Sequence, residues 1–181
     1  MPSSDIVKPQ RQPVHSDADF AHPNHPFALV VNVGLIDMTP HSGSTEVWLG
    51  THTNASLADQ EGLHGERASG RIKQDLLDSR RTISPPVQPT IPKGSIVVRD
   101  LRLWHAGMPN LSNDIRVMLA MIHFAPWYRN QMRLEFGEGV KPFVEQEKML
   151  DVRADFVSEV KAAEEYLNRG FGNSYDFGQS D

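Results

Sequence analysis

The sequence predicts an antiparallel β sandwich or barrel with one C-terminal helix. Two observations carry that prediction. Apolar runs rich in β-branched residues recur at 27–38, 93–107 and 115–127, separated by clusters of Pro, Gly, Asn and Ser. Only the stretch 150–169 shows sustained helical spacing, through Val152, Phe156, Val157, Val160, Ala163 and Leu167, with Gly170 just beyond it. A strand-dominated chain of this kind closes as a sandwich or barrel.

The elements follow in order. Residues 1–11 are polar, contain Pro2 and Pro9, and read as flexible. FALVVNVGLIDM (27–38) reads as a central strand, and TPHSGS (39–44) breaks it. Residues 44–52 read as a second strand. From 53 to 92 the composition turns polar. Ile72, Leu76 and Leu77 suggest a short amphipathic helix there, and four prolines in TISPPVQPTIP exclude one after it. An insertion this long reads as a lid. KGSIVVRDLRLWHAG (93–107) gives a strand and a second extended stretch, and IRVMLAMIHFAPW (115–127) another strand. His123 alternates with Leu119 and Met121, which places it in the core or barrel wall. Trp48 and Trp104 are expected to pack, and His64 falls in the lid without a visible partner.

Composition narrows the chemistry. A chain of 181 residues suits a single domain over 1–181 and can bury a core. A net charge of −5 argues against nucleic acid as the main partner. There is no cysteine, so thiolate nucleophiles, disulfides and iron–sulfur ligation are excluded. Any metal must be held by His, Asp and Glu. No apolar run approaches a membrane span, and the N-terminus carries no signal-type stretch, so a cytoplasmic location is expected.

QPVHSDAD (12–19) holds the first chemical signal. In a strand, His15 and Asp17 point to the same face and can share one metal ion. An HxD pair alone is common by chance and is more often a surface turn or a hydrogen-bonded pair. It gains weight only from a third ligand on a later strand. His105 is that candidate, at the end of LRLWH, although a histidine there also suits a satisfied core position. Two histidines and one carboxylate on one face of Fe(II) leave open positions for O2 and a co-substrate. Eleven residues after His105, Arg116 opens an apolar strand. A buried guanidinium wants a partner, and a dicarboxylic acid provides one through two parallel hydrogen bonds.

HSD at 15–17, SGSTEVWLGTH at 42–52 and HAGMPNLSNDIR at 105–116 together resemble the phytanoyl-CoA dioxygenase group of Fe(II)/2-oxoglutarate dioxygenases, more narrowly its fungal members in secondary metabolism. The resemblance covers roughly residues 10–130. It implies a double-stranded β-helix, the jelly-roll, cupin-like core, with His15, Asp17 and His105 as iron ligands. It implies Arg116 on the distal carboxylate of 2-oxoglutarate, with Gln12 and Thr45 beside that co-substrate. The cofactors implied are Fe(II), 2-oxoglutarate and O2. The reaction implied oxidises a C–H bond of a small organic substrate, by hydroxylation, desaturation or epoxidation, with 2-oxoglutarate decarboxylated to succinate.

Only 14 residues precede His15, where the family carries a considerably longer region. The core is therefore expected to be N-terminally shortened, with an exposed apolar face that a homodimer would complete. Two other readings stand beside the oxygenase. One is a shortened β-sandwich relative that is weak or inactive and serves as a binding or oligomeric protein. The other is a cupin-type hydrolase or isomerase using the same triad on another metal.

Overall fold

The computed structural model describes residues 9–63, 70–168 and 177–179. They fall into two compact units, one within 9–125 and one within 126–179. Residues 1–8 of the expected flexible N-terminus lie outside the described residues, as do His64 and Gly170.

The first unit is mainly β. Strand β1 (Ala28–Gly34) is the centre of a three-stranded antiparallel sheet, between β5 (Ile96–Asp100) and β7 (Met118–Phe124). The three are the β-branched runs that the sequence marks as strands. Along β1 the even residues Ala28, Val30, Asn32 and Gly34 are buried, whereas Leu29 is 43% exposed. Register places Arg99 opposite Val30 on one side and Ile122 opposite it on the other. Directly opposed residues share a face, so Val97, Arg99, Ile122 and Phe124 look inward with the even residues of β1. The other face carries Leu29, Ile96, Val98, Leu119 and Met121, all more than 40% exposed. His123, opposite Leu29, is half-buried on that outer face rather than in the core. Its alternation with Leu119 and Met121 holds, but the face they share is the solvent side.

A second antiparallel array is built from short strands. β2 (Glu46–Val47) pairs with β6 (His105–Ala106), and β3 (Gln60–Glu61) pairs with β4 (Arg71–Ile72). His15 joins the two pairs, bridging β6 through His105 and β4 through Arg71. Val87 extends the array beyond Val47. Under it lies a core of Val14, Trp48, Ile72, Leu77, Trp104 and Ala106. Trp48 and Trp104 are both buried, with ring centroids 6.5 Å apart. Thr51 ties them, its Oγ1 accepting from the Trp104 N–H at 3.0 Å and donating to the Trp48 carbonyl at 2.8 Å. That contact and a 3-10 turn at Thr51–Asn54 end the second strand earlier than the sequence suggests.

The segment read as a lid, 53–92, is built into this unit over its described residues. It contributes β3, β4 and helix α1 (Gln74–Ile83), and its proline-rich end pairs with the scaffold through Val87–Val47 and Ile91–Met38. Ile72 sits in β4 rather than in the helix. Leu77 of α1 is 5% exposed within the core, and Leu76 packs beside it. Burial of such a leucine contributes roughly 1.5–3 kcal/mol.

The second unit pairs β8 (Leu134–Gly137) in parallel with β9 (Ala154–Val157), with α2 (Lys141–Gln146) between them in sequence. Phe136 and Phe156 stack across that pair with centroids 6.4 Å apart. The C-terminal helix, α3 (Glu159–Asn168), therefore starts later than position 150. Val152, Phe156 and Val157 mimic helical spacing, but strand pairing claims 154–157. Ser158 then opens the helix, its hydroxyl accepting from the Lys161 N–H at 3.3 Å. Among the described residues no helix is long and apolar enough to cross a membrane.

The placement of α1 is directly testable. Leu77→Ala is expected to lower unfolding stability in urea by about 2–5 kcal/mol, the cost of a core cavity. A loss below about 0.5 kcal/mol, as for a surface position, would show that the segment packs on nothing.

Candidate metal centre

The extended stretch 12–16 lies between β4 and β6. The His15 N–H donates to the His105 carbonyl at 2.9 Å, and the His105 N–H returns to the His15 carbonyl at 3.0 Å. This reciprocal pair makes the two residues direct neighbours on one face. On the other side the Ser16 N–H donates to the Gly70 carbonyl and the Ile72 N–H to the Val14 carbonyl, both at 2.9 Å. Gly70 has φ +75°, and a Cβ there would run into the Ser16 carbonyl oxygen, so only glycine allows this approach. Odd residues of the stretch then face the space between the sheets, while Val14 enters the core beneath.

The two imidazoles stand with centroids 4.2 Å apart at 50°. His15 Nδ1 is 2.9 Å from the Pro13 carbonyl oxygen, and His105 Nδ1 is 3.0 Å from that of Leu103. A carbonyl only accepts, so Nδ1 carries the proton in each neutral ring and Nε2 offers its lone pair. Each Nε2 faces Asp17 Oδ1, at 3.7 Å from His15 and 3.6 Å from His105. The three donor groups lie within 4.8 Å of one another. Ligands at about 2.1 Å from a metal and at right angles to each other stand about 3 Å apart, so only a small contraction separates this arrangement from a facial triad.

Electrostatics suits the donor set. Burial, reinforced by the charges of His15 and Arg99 and opposed by Asp17, pushes His105 down to about 4, leaving a neutral imidazole at pH 7. Burial works against ionisation of Asp17, but His105, Arg99 and His15 outweigh it and hold its carboxyl below the usual range. Two imidazoles that offer Nε2 and one carboxylate can hold a first-row divalent metal. The corner carrying His105 is fixed as well. Arg102, 2% exposed, grips Asp100 through Nε at 2.9 Å and Nη2 at 2.8 Å, and the Leu103 N–H donates to the Asp100 carbonyl at 3.1 Å.

The remaining expected site residues are placed as follows. Gln12 is exposed. Its N–H donates to the Gly107 carbonyl at 2.8 Å and its Oε1 accepts from the Gly107 N–H at 3.0 Å, which continues the ladder two residues beyond His105. Thr45 is half-buried just before β2. Arg116, half-buried, donates through Nη1 to the Gly43 carbonyl. Gly43, at φ +79°, packs on the carbonyls of Met108 and Pro109. A residue that sequence reasoning missed is Arg99. Its Nη2 donates to Asp17 Oδ2 at 2.6 Å. The signal was an arginine at the inward parity of a β-branched strand, the same kind of signal that marks Arg116.

Against known families, residues 2–118 match phytanoyl-CoA dioxygenase (PhyH). The chain belongs to that family. Among solved structures, the epimerase SnoN in complex with Fe3+, alpha ketoglutarate and nogalamycin RO is 17% identical with a TM-score of 0.51, over 67% of this chain and 45% of that one. EctD from S. alaskensis is 22% identical with a TM-score of 0.49, over 65% and 40%. EvdO2 from Micromonospora carbonacea var. aurantiaca, complexed with 2-oxoglutarate, is 23% identical with a TM-score of 0.48, over 64% and 44%. The chain spans under half the length of each of these proteins. The likeness to SnoN is one of fold, and this PhyH-family chain is mainly β, of the cupin-like jelly-roll type.

Two predictions test the centre. Titration calorimetry should show Mn(II) binding to the wild-type protein, lost in His105→Ala and kept in His41→Ala, an exposed histidine; equal losses would move the metal elsewhere. Gly94 shares positive φ with Gly70 but faces open space. Gly94→Ala should therefore cost about 1–2 kcal/mol for the left-handed backbone alone. Gly70→Ala should cost more and weaken Mn(II) binding, and equal costs would remove the close approach to Ser16.

Proposed function

We propose that this PhyH-family chain is an Fe(II)/2-oxoglutarate-dependent dioxygenase that oxidises a C–H bond of a small organic substrate, of the kind met in secondary metabolism. The observation that carries the reading is the convergence of His15 Nε2, Asp17 Oδ1 and His105 Nε2 in a protein of this family. Bound iron with 2-oxoglutarate supplies O2 activation, coupling release of succinate and CO2 to oxygenation of the substrate.

The residues divide the work. His15, Asp17 and His105 hold the metal on one face and leave its other positions open. Backbone carbonyls at Pro13 and Leu103 hold the two imidazoles in the donor tautomer. Arg116 is assigned the distal carboxylate of 2-oxoglutarate. Among the described residues its partner is the neutral Gly43 carbonyl, which orients the guanidinium without balancing its charge. Gln12 and Thr45 are assigned to the co-substrate side, and both flank β6 and its continuation. The apolar outer face of the β5–β1–β7 sheet supports a homodimer, since a patch of that kind is seldom left open to water. It also favours the second reading, a weak or inactive relative that binds a partner.

The test is anaerobic mixing with Fe(II) and 2-oxoglutarate. Wild-type protein should develop the weak visible charge-transfer absorption of a chelated complex, and His105→Ala should not. Arg116→Leu should raise the 2-oxoglutarate concentration needed by about tenfold or more, the worth of a charge-assisted pair. No absorption from the wild-type protein would sink the dioxygenase reading. Absorption without succinate formation across candidate substrates would favour the non-catalytic relative.

A further inference from the structure

Arg99 has more binding capacity than its one partner uses. It stands on β5 at the inward parity and its side chain is 9% exposed. Nη2 donates to Asp17 Oδ2 at 2.6 Å. Nε and Nη1 are buried and meet no hydrogen-bond partner among the described residues. A guanidinium is permanently charged and carries five N–H donors in a rigid fork. Buried donors of that kind are expected to be satisfied by something that enters the site.

The same contact divides Asp17. Oδ2 is committed to Arg99, while Oδ1 faces both histidines. A carboxylate so held offers a metal one oxygen rather than two, which keeps a coordination position open for a guest. Resting on the dioxygenase reading, we propose that Arg99 is a second anion anchor of the centre: Nη2 confines Asp17 to one-oxygen donation, and the guanidinium edge that Asp17 leaves free, Nη2 with Nε or Nη2 with Nη1, receives a carboxylate of the organic acid that binds beside the metal. A carboxylate matches both requirements, since it accepts hydrogen bonds on two oxygens and balances the guanidinium charge. The distal anchor, Arg116, engages the loop at Gly43 instead, so the two arginines serve different ends of a dicarboxylic acid.

Oxalate is the probe, because it chelates a metal but has no distal arm. Its affinity for the Mn(II)-saturated full-length protein is measured by calorimetry in wild type, Arg99→Leu, Arg99→Lys and Arg116→Leu, after circular dichroism melts establish folding. Both Arg99 variants should bind oxalate about tenfold or more weakly, because lysine keeps the charge but not the fork. Arg116→Leu should bind oxalate like the wild-type protein and lose 2-oxoglutarate affinity only. Mn(II) affinity before oxalate is added should fall about 10–100-fold in Arg99→Leu, as for loss of a group that orients a ligand. Should Arg99→Leu fail to fold, Arg99→Lys decides the matter alone. Oxalate binding unchanged in the folded Arg99 variants would mean that water satisfies Nε and Nη1, and would overturn the anchor while leaving the dioxygenase reading intact. A wild-type protein that holds no Mn(II) would overturn both.

Discussion

The reciprocal backbone pair between His15 and His105 is the constraint on which the rest of the first unit depends. The two residues are ninety positions apart in the chain, and closing so long a loop carries an entropic cost. That cost is offset on the underside of the same array, where Val14, Trp48, Ile72, Leu77, Trp104 and Ala106 pack together. Strand alternation makes one short stretch serve both purposes. Val14 faces down into the core, and His15 and Asp17 face up into the centre. The geometry of the centre is therefore ladder geometry, set by peptide hydrogen bonds rather than by the reach of flexible side chains. The close approach of Gly70 to Ser16 belongs to the same logic, since it holds the far edge of the stretch while β6 holds the near one.

Much of this arrangement was legible in the residues. β1, β5 and β7 announced themselves by β-branched runs between turn clusters, and each is a strand at the expected place. The HxD spacing and His105 were legible because a two-residue period fixes which side chains share a face. What escaped followed from pairing partners far away in sequence. Residues 154–157 satisfied a helical pattern and became β9 because β8 lies beside them. The described part of 53–92 looked polar enough for a lid, yet Ile72 and Leu77 enter the core and Val87 and Ile91 pair with the scaffold. His123 sat in an apolar alternation that faces outward, an inversion that local pattern cannot reveal because hydrophobicity ordinarily marks the inner face. Arg99 carried the same signal as Arg116 but lacked a motif around it, and only the fold shows Asp17 beside it.

Three arginines stand on β5, at the corner after it, and at the approach to β7, and their partners separate their roles. Arg102 is saturated: a bidentate grip on Asp100 neutralises it, and it acts as a brace for the turn that presents His105. Arg99 shares Asp17 with both imidazoles and keeps two nitrogens unused. Among the described residues Arg116 has the neutral Gly43 carbonyl for a partner, which orients its charge without balancing it. Of the acidic side chains meeting these groups among the described residues, Asp100 is consumed by the brace, and Asp17 faces the centre. Asp17 is one carboxylate set against the Arg99 guanidinium, so a divalent metal held here would make the centre positive. A positive, partly buried surface of this kind disfavours cationic guests and draws anionic ones. That bias does not depend on the reaction that follows binding. It follows from where the sheets place Arg99 and Asp17, and on the proposed reading it favours a small organic acid as the guest.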